Sequence, residues 1–203
     1  MPDCLAGAVG VRVRVGIDPG HGGKSTGCVG GDLREASYVY DAAEALALEL
    51  LRRGHTFALS RRRDECPWFY TRARRLRRCD AVVSLHVNAN ARESVNGWEC
   101  YWHKSEDLPL ARALTMHVPR ELVPVGRFGP TRPRLYSTAD DPATASDDWL
   151  QRPATVIRRY AQPACLVEFG FSSNLDDRAY LLSPVGSREV VLTVADGLEA
   201  YVT

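Results

Sequence analysis

Short apolar runs alternate along this chain with longer stretches of helical periodicity, and that rhythm admits few architectures. "VRVRVGI" (11–17) alternates and then turns wholly apolar, as a strand does on entering a core. "REASYVYDAAEALALELLRRG" (34–54) places Val39, Ala42, Ala43, Leu46, Leu50 and Leu51 on helical spacing, with Gly54 as a stop. "HTFALS" (55–60), "DAVVSLHVNA" (80–89), "GWECYWH" (97–103) and "PACLVEFGF" (163–171) read as further strands, and 69–78, 105–118 and 187–202 as helices. The 80–89 run is too apolar for a surface position, which predicts a central strand. Strands alternating with helices imply an α/β fold with a largely parallel sheet. Residues 125–153, rich in Pro, Ser, Thr and Asp, break the rhythm and read as a long loop, with a short strand near 154–159.

A chain of 203 residues with 45% hydrophobic content is long enough for one well-buried core, so a single domain over 1–203 is expected, with its core over 11–203. The formal net charge of +1 gives no global attraction to nucleic acid or to anionic membrane. No apolar segment approaches the ~20 residues of a membrane span. The expected protein has no nucleic-acid partner, does not insert in membranes and is a monomer. "MPDCLAGAVG" lacks the basic start and apolar run of an export signal, so synthesis in a cytoplasm is expected. The six cysteines (4, 28, 66, 79, 100 and 165) form no C-x-x-C pair, and reduced thiols are the expectation.

The chemistry concentrates where strands end. "VGIDPGHGG" (15–23) carries a lone histidine, His21, into a Gly-rich loop just past the first strand. His86 closes the third strand, Glu35 opens the helix after the loop, and Glu168 interrupts the apolar "PACLVEF" run. Ligands of open α/β sheets gather outside the carboxyl ends of the strands, so these four side chains can share one edge. Two neutral imidazoles and a carboxylate form a three-ligand zinc site with an open position, and a fourth, uncoordinated carboxylate can handle the proton of an attacking water. That combination suits metal-assisted amide hydrolysis. Each residue alone also has an ordinary role. A strand-end histidine can simply be hydrogen-bonded, a first-turn glutamate can serve the helix dipole, and a buried glutamate can sit in an ion pair. The spacing matches no compact zinc signature.

Three blocks in order carry a resemblance. "VGIDPGHGGKSTGCVGG…LREASYVYDAAEAL", "ALSRRRDECPWFYTRARRLRRCDAVVSLHVNAN" with Arg61 and Arg72, and "PACLVEFGFSSNLDDRAYLL" with Pro163, Glu168, Gly170, Phe171 and Asn174 resemble the family-3 zinc N-acetylmuramoyl-L-alanine amidases over about Val13 to Thr203. The resemblance implies one α/β domain with a mixed, mostly parallel central sheet flanked by helices on both faces. It implies one Zn2+ per chain held by His21, Glu35 and His86, with Glu168 as the catalytic glutamate. The implied substrate is peptidoglycan, cut between the muramic acid lactyl group and L-alanine. Ser60 stands where the family usually has Thr. Some relatives block the zinc with an extra helix; no long helix is evident in 125–153, so an open site is expected. The compact chain also resembles a phage or prophage endolysin, which reaches the wall after the membrane is breached. The alternatives are a bacterial wall-remodelling amidase, a zinc peptidase acting on the stem peptide, a non-catalytic wall-binding module and, remotely, a cysteine hydrolase using Cys28 or Cys165.

Three other features have competing readings. Ten arginines fall between Arg52 and Arg78, either a patch for anionic polymer or a solvated face offset by nearby acids, the second being the better fit. Trp98 and Trp102 share a face of the fourth strand and either stack on sugar or fill the core, with core preferred. Lys24 and Ser25, beside His21, are candidate substrate contacts.

Overall fold

Strand β1 (Arg14–Pro19) is buried from Val15 onward and anchors the sheet. The computed structural model describes residues 11–126, 129–130, 134–137 and 156–203. β1 leads through the Gly-rich loop to a small antiparallel ribbon, β2 (Val29–Gly30) with β3 (Leu33–Arg34), and then to helix α1 (Glu35–Arg52). β4 (Thr56–Leu59), α2 (Phe69–Leu76), β5 (Ala81–Asn88), β6 (Glu99–Trp102) and α3 (Leu108–Ala113) follow. A second ribbon pairs β7 (Val125–Gly126) with β8 (Gly129–Pro130), and β9 (Arg134–Ser137), β10 (Ala164–Phe171), α4 (Leu175–Leu182) and α5 (Pro184–Val202) complete the order.

The central sheet has the order β4-β1-β5-β10-β6-β9. β4, β1, β5 and β10 run parallel, β6 is antiparallel to β10, and β9 is parallel to β6. The sheet is therefore mixed and mostly parallel, as expected. Alternation along β5 and β10 divides the core. Val83, Leu85, Val87, Cys165 and Val167 face the larger cluster, closed by α1, α3, α4 and α5. Val82, Ala164 and Leu166 face the smaller one, closed by α2 and a 3-10 turn, Ile157–Arg159. Helices thus cover both faces. On α1, Val39, Ala43, Leu46 and Leu50 are all out of water, and each buried leucine stabilises the fold by about 1.5–3 kcal/mol.

Several boundaries differ from the sequence reading, each for a local reason. The helix expected over 105–118 is a 3-10 turn, Ser105–Asp107, followed by the short α3. It stops where Thr115 Oγ1 donates back to the carbonyls of Ala111 and Arg112. The last helix begins at Pro184, three residues before 187, because Ser183 caps it by accepting from Gly186 N (2.9 Å) and Pro184 takes the first turn. α4 has no counterpart in the sequence reading; Asn174 starts it by accepting from Asp177 N. The 3-10 turn at Ile157–Arg159 replaces the strand expected near 154–159, and β9 lies within the stretch read as loop. The expectation of no blocking helix in 125–153 falls mostly on residues outside the described ones; those described there form β7, β8 and β9. Trp98 is fully buried just before β6, tilted against Phe169 with ring centres 5.4 Å apart, and the half-buried Trp102 packs on the same core. Among the described residues no helix is long and apolar enough to cross a membrane.

At the carboxyl edge of β1 an ionic knot replaces apolar packing. Asp18 and Arg72 are both buried, and Arg72 Nη1 donates to Asp18 Oδ1 at 2.8 Å. Ser60 Oγ donates to the same oxygen, and Ser84 Oγ donates to Oδ2 at 2.9 Å. Burial pushes the Asp18 carboxyl up, but the Arg72 charge and the Ser60 and Arg72 hydrogen bonds outweigh it, and the group is held below its ordinary value. Its stabilisation is therefore complete above the unfolded carboxylate value of about 3.9 and is lost as pH falls through the lower folded value. Arg72→Met leaves a buried carboxylate without its counter-charge. It should lower unfolding free energy in urea by about 3–5 kcal/mol at neutral pH. The deficit should shrink as pH falls: burial without the counter-charge makes Asp18 of the variant take up its proton above about 4, which relieves the variant, and below about 4 the parent loses the stabilisation of its ion pair.

Candidate metal centre

His21, Glu35 and His86 come from three separate elements and meet at one edge. β1, β5 and β10 are parallel, so their carboxyl ends lie together. His21 follows β1 by two residues, His86 lies in the last turn of side chains on β5, and Glu35 is the first residue of α1. His21 Nε2 lies 3.2 Å and His86 Nδ1 2.9 Å from Glu35 Oε1, and the three ligand atoms all lie within 4.8 Å of one another. Donors about 2.0–2.1 Å from a tetrahedral ion are about 3.3 Å apart, so the two nitrogen–carboxylate spacings fit a divalent metal. The rings meet edge to face, with centres 5.3 Å apart at 74°.

Each donor is held from behind. Glu35 accepts from Val87 N at Oε1 (3.2 Å) and from Cys28 N at Oε2 (2.9 Å). Burial pushes its carboxyl up, but the hydrogen bonds and charges of the two histidines drive it well below its ordinary value. Ser25 Oγ lies 3.0 Å from His21 Nδ1 and so turns Nε2 toward Glu35. Ser25, a candidate substrate contact in the sequence, has its hydroxyl engaged by the imidazole. His21 has φ 54, a left-handed backbone uncommon outside glycine. Two arginines hold it there. Arg72 Nη2 donates to His21 O (2.6 Å) and Arg72 Nη1 to Pro19 O (2.7 Å). Arg61, almost fully buried, donates to Pro19 O, Gly20 O and Ala36 O. The sequence placed both arginines but not this work, because spacing does not show which carbonyls a guanidinium will reach.

Two glycines supply the room. A Cβ on Gly20 would stand 2.3 Å from His86 Cε1, and one on Gly27, whose φ is +66, would stand 2.4 Å from Glu35 Oε2.

Glu168 joins the same edge through sheet register. It pairs with His86 across β5 and with Glu99 across β6, so the three side chains share a face. Among the described residues its Oε2 is out of water and has no hydrogen-bond partner. Burial, and then the charges of Glu35 and Glu99, push this carboxyl well above its ordinary value. Glu99 is secured differently, accepting from Asn88 Nδ2 (3.0 Å) and Tyr101 OH (2.8 Å). The four residues singled out in the sequence are therefore brought together: three donors facing one point, and a carboxylate with a bare oxygen on the neighbouring strand.

The amino-acid sequence of residues 15–200 matches the family described as N-acetylmuramoyl-L-alanine amidase. This chain belongs to that family. LytC of Bacillus subtilis, an N-acetylmuramoyl-L-alanine amidase, is 28% identical over 190 residues, which is 91% of this chain but 34% of LytC. The catalytic domain of the amidase CwlV from Bacillus (Paenibacillus) polymyxa superposes with a TM-score of 0.77 at 24% identity, covering 94% of this chain and 99% of that domain. The catalytic domain of an endolysin targeting Clostridia difficile gives 0.67 at 18% identity, covering 92% and 97%.

Within this amidase-family fold the other candidates take ordinary roles. Burial pushes the Cys28 thiol up to about 12 and the Cys165 thiol well above its usual value, so neither is a ready nucleophile. Half of the ten dense arginines pair with acids: Arg52 and Arg53 with Glu49, Arg63 with Asp41 and Glu44, Arg72 with Asp18, and Arg75 with Glu65. The centre itself yields a test. Gly20→Ala should displace the His86 ring and weaken divalent-metal binding by about 10- to 100-fold in competition with a chelator, a loss of the size seen when a ligand's support is removed. The far-UV spectrum should stay unchanged.

Proposed function

We propose that this chain is a zinc-dependent amidase that cleaves the bond between the lactyl group of N-acetylmuramic acid and the L-alanine of peptidoglycan. The observation that carries the reading is the convergence of His21, Glu35 and His86 on one point beside the unpartnered Oε2 of Glu168. Family membership supports the substrate. An imidazole, imidazole, carboxylate set is a common catalytic zinc complement, because three protein ligands leave a position open.

Zinc, when bound, would supply Lewis acidity, making a water acidic near neutral pH and polarising the amide carbonyl. The remaining work falls to the chain. Glu35, gripped by two backbone N–H groups, keeps its carboxylate in place between the rings. Ser25 fixes the His21 ring, and the Arg61–Arg72 clamp fixes its backbone. Glu168 accepts the proton of the attacking water at Oε2 and delivers it to the departing alanine nitrogen. Its raised affinity for a proton suits the second half of that exchange.

The lytic reading, a phage or prophage endolysin made in a host cytoplasm and released onto the wall, is supported by the likeness to an endolysin catalytic domain. Wall remodelling by a bacterial enzyme is the second reading, supported by the likeness to LytC. Timed expression separates them, since a lytic enzyme should clear its host abruptly once the membrane is permeabilised.

Purified protein should carry about one zinc per chain, and His86→Ala should lose most of it, because one of three protein ligands is gone. Glu168→Gln should keep its zinc and lose about 10²–10⁴-fold in rate. Digests of cell wall should gain amino groups on L-alanine with glycan strands intact. A different new amino terminus would identify a stem-peptide peptidase instead.

A further inference from the structure

Trp68 is the most exposed large apolar side chain among the described residues, at 73% of its full accessibility. It also occupies the N-cap of α2, with φ −57 and ψ 153 and no side-chain cap bond. Both facts are locally unfavourable. Trp usually buries most of its surface, and Ser, Thr, Asp or Asn at an N-cap satisfies an orphan backbone N–H that indole leaves open. Nothing in the described fold offsets this, for the indole makes no ring contact or hydrogen bond there. Its neighbours are engaged. Phe69 packs on the smaller core cluster, and the Tyr70 ring carries the Arg159 guanidinium 5.0 Å from its centre.

The place of Trp68 is set by topology. β4 runs parallel to β1, so the 60–68 segment emerges at the same carboxyl edge as His21. α2 covers the face on which Val82 and Leu166 lie, and by alternation that is also the face of His86 and Glu168. The segment lies directly against the histidine loop. A Cβ on Gly22 would meet Glu65 O at 2.1 Å, and one on Gly23 would meet Cys66 Cβ at 3.4 Å. The single Arg72 guanidinium donates to both Pro67 O (3.1 Å) and His21 O (2.6 Å). Trp68 thus follows directly on a carbonyl, Pro67 O, that shares one guanidinium with the carbonyl of His21, on the segment packed beside the histidine loop.

We propose that Trp68 is a glycan-binding residue, whose indole face stacks on a pyranose ring of the sugar strand beside the muramoyl unit being cut. A pyranose presents an apolar C–H face, and an exposed aromatic ring offers the matching flat surface with a polar N–H at its edge. Trp68 lies on the segment beside the histidine loop and not in that loop, so the contact is assigned to a neighbouring sugar and not to the one that carries the scissile amide. The identity of the polymer rests on the function proposed above; the stacking itself can be measured without turnover.

Trp68→Ser separates the sugar role from a structural one, because serine is the better N-cap. The thermal midpoint should rise by about 2–4 °C while sugar binding weakens. In the zinc-loaded Glu168→Gln protein, calorimetry with an N-acetylglucosamine tetramer should show affinity falling about tenfold on adding Trp68→Ser, and Trp68→Tyr should restore it to within about twofold. In the active enzyme, Trp68→Ser should raise KM for glycan-linked wall about tenfold, with kcat and zinc content held. Equal tetramer affinity with and without Trp68, absent tetramer binding in both, or an unchanged KM on wall would overturn the proposal. An enzyme that releases no L-alanine amino groups yet loses tetramer affinity with Trp68→Ser would overturn the amidase reading and leave the sugar platform standing.

Discussion

A histidine forced into left-handed backbone is the constraint on which the rest of this molecule depends. His21 reaches the centre only because the chain turns sharply after β1, and the turn exposes carbonyl oxygens that no sheet ladder can satisfy. Arg61 and Arg72 answer those oxygens with two buried guanidinium groups, and Asp18 supplies the counter-charge that makes one of them tolerable inside. The polar knot is thus a scaffold for a single imidazole. It also explains why arginine serves where lysine would not. Arg72 contacts Asp18, Pro19, His21 and Pro67 from one planar fork, which a point-charge ammonium cannot do.

The other two donors follow from cheaper devices. His86 needs only the pleat of β5 and a neighbour, Gly20, with no side chain. Glu35 needs the start of a helix, where the dipole favours an anion, and two backbone N–H groups, of Cys28 and Val87, that grip its carboxylate. Glu168 differs from all three in being left partly unsatisfied. Its companion Glu99 has two hydrogen-bond donors on one oxygen, whereas the Oε2 of Glu168 has none. Two carboxylates side by side on adjacent strands are thus treated differently: Glu99 is tied by two hydrogen bonds, while burial and the neighbouring charges leave Glu168 ready to hold a proton.

Much of this was legible in the sequence, and the reasons vary from residue to residue. β1, β5 and β10 announced themselves because central parallel strands are continuous apolar runs, and a polar residue within such a run, His86 or Glu168, stands out. α1 was clear from its periodicity over five turns. α4 was not, because eight residues with little apolar bias owe their helix to the Asn174 cap and to packing on α5. β9 hid in a stretch whose composition reads as loop, since an edge strand needs only one partner to form. The tasks of Ser25, Arg61 and Arg72 were beyond reach for a different reason. They depend on which groups the fold brings within three ångströms, and no periodicity encodes that.

The alignment of Glu168 with His86 has a further meaning. Side chains of a strand alternate with a period of two, so a slip of β10 by a single position would swing its acid to the opposite side, among the aliphatic groups beneath α1 and α5. Such a molecule could keep its hydrogen-bonded ladder and all three metal donors, since none of them lies on β10. On the proposed reading it would be a silent impostor, able to take up its cation yet chemically inert. For the zinc amidase proposed above, turnover per bound ion would therefore serve as a gauge of whether the last strand of the sheet has zipped correctly.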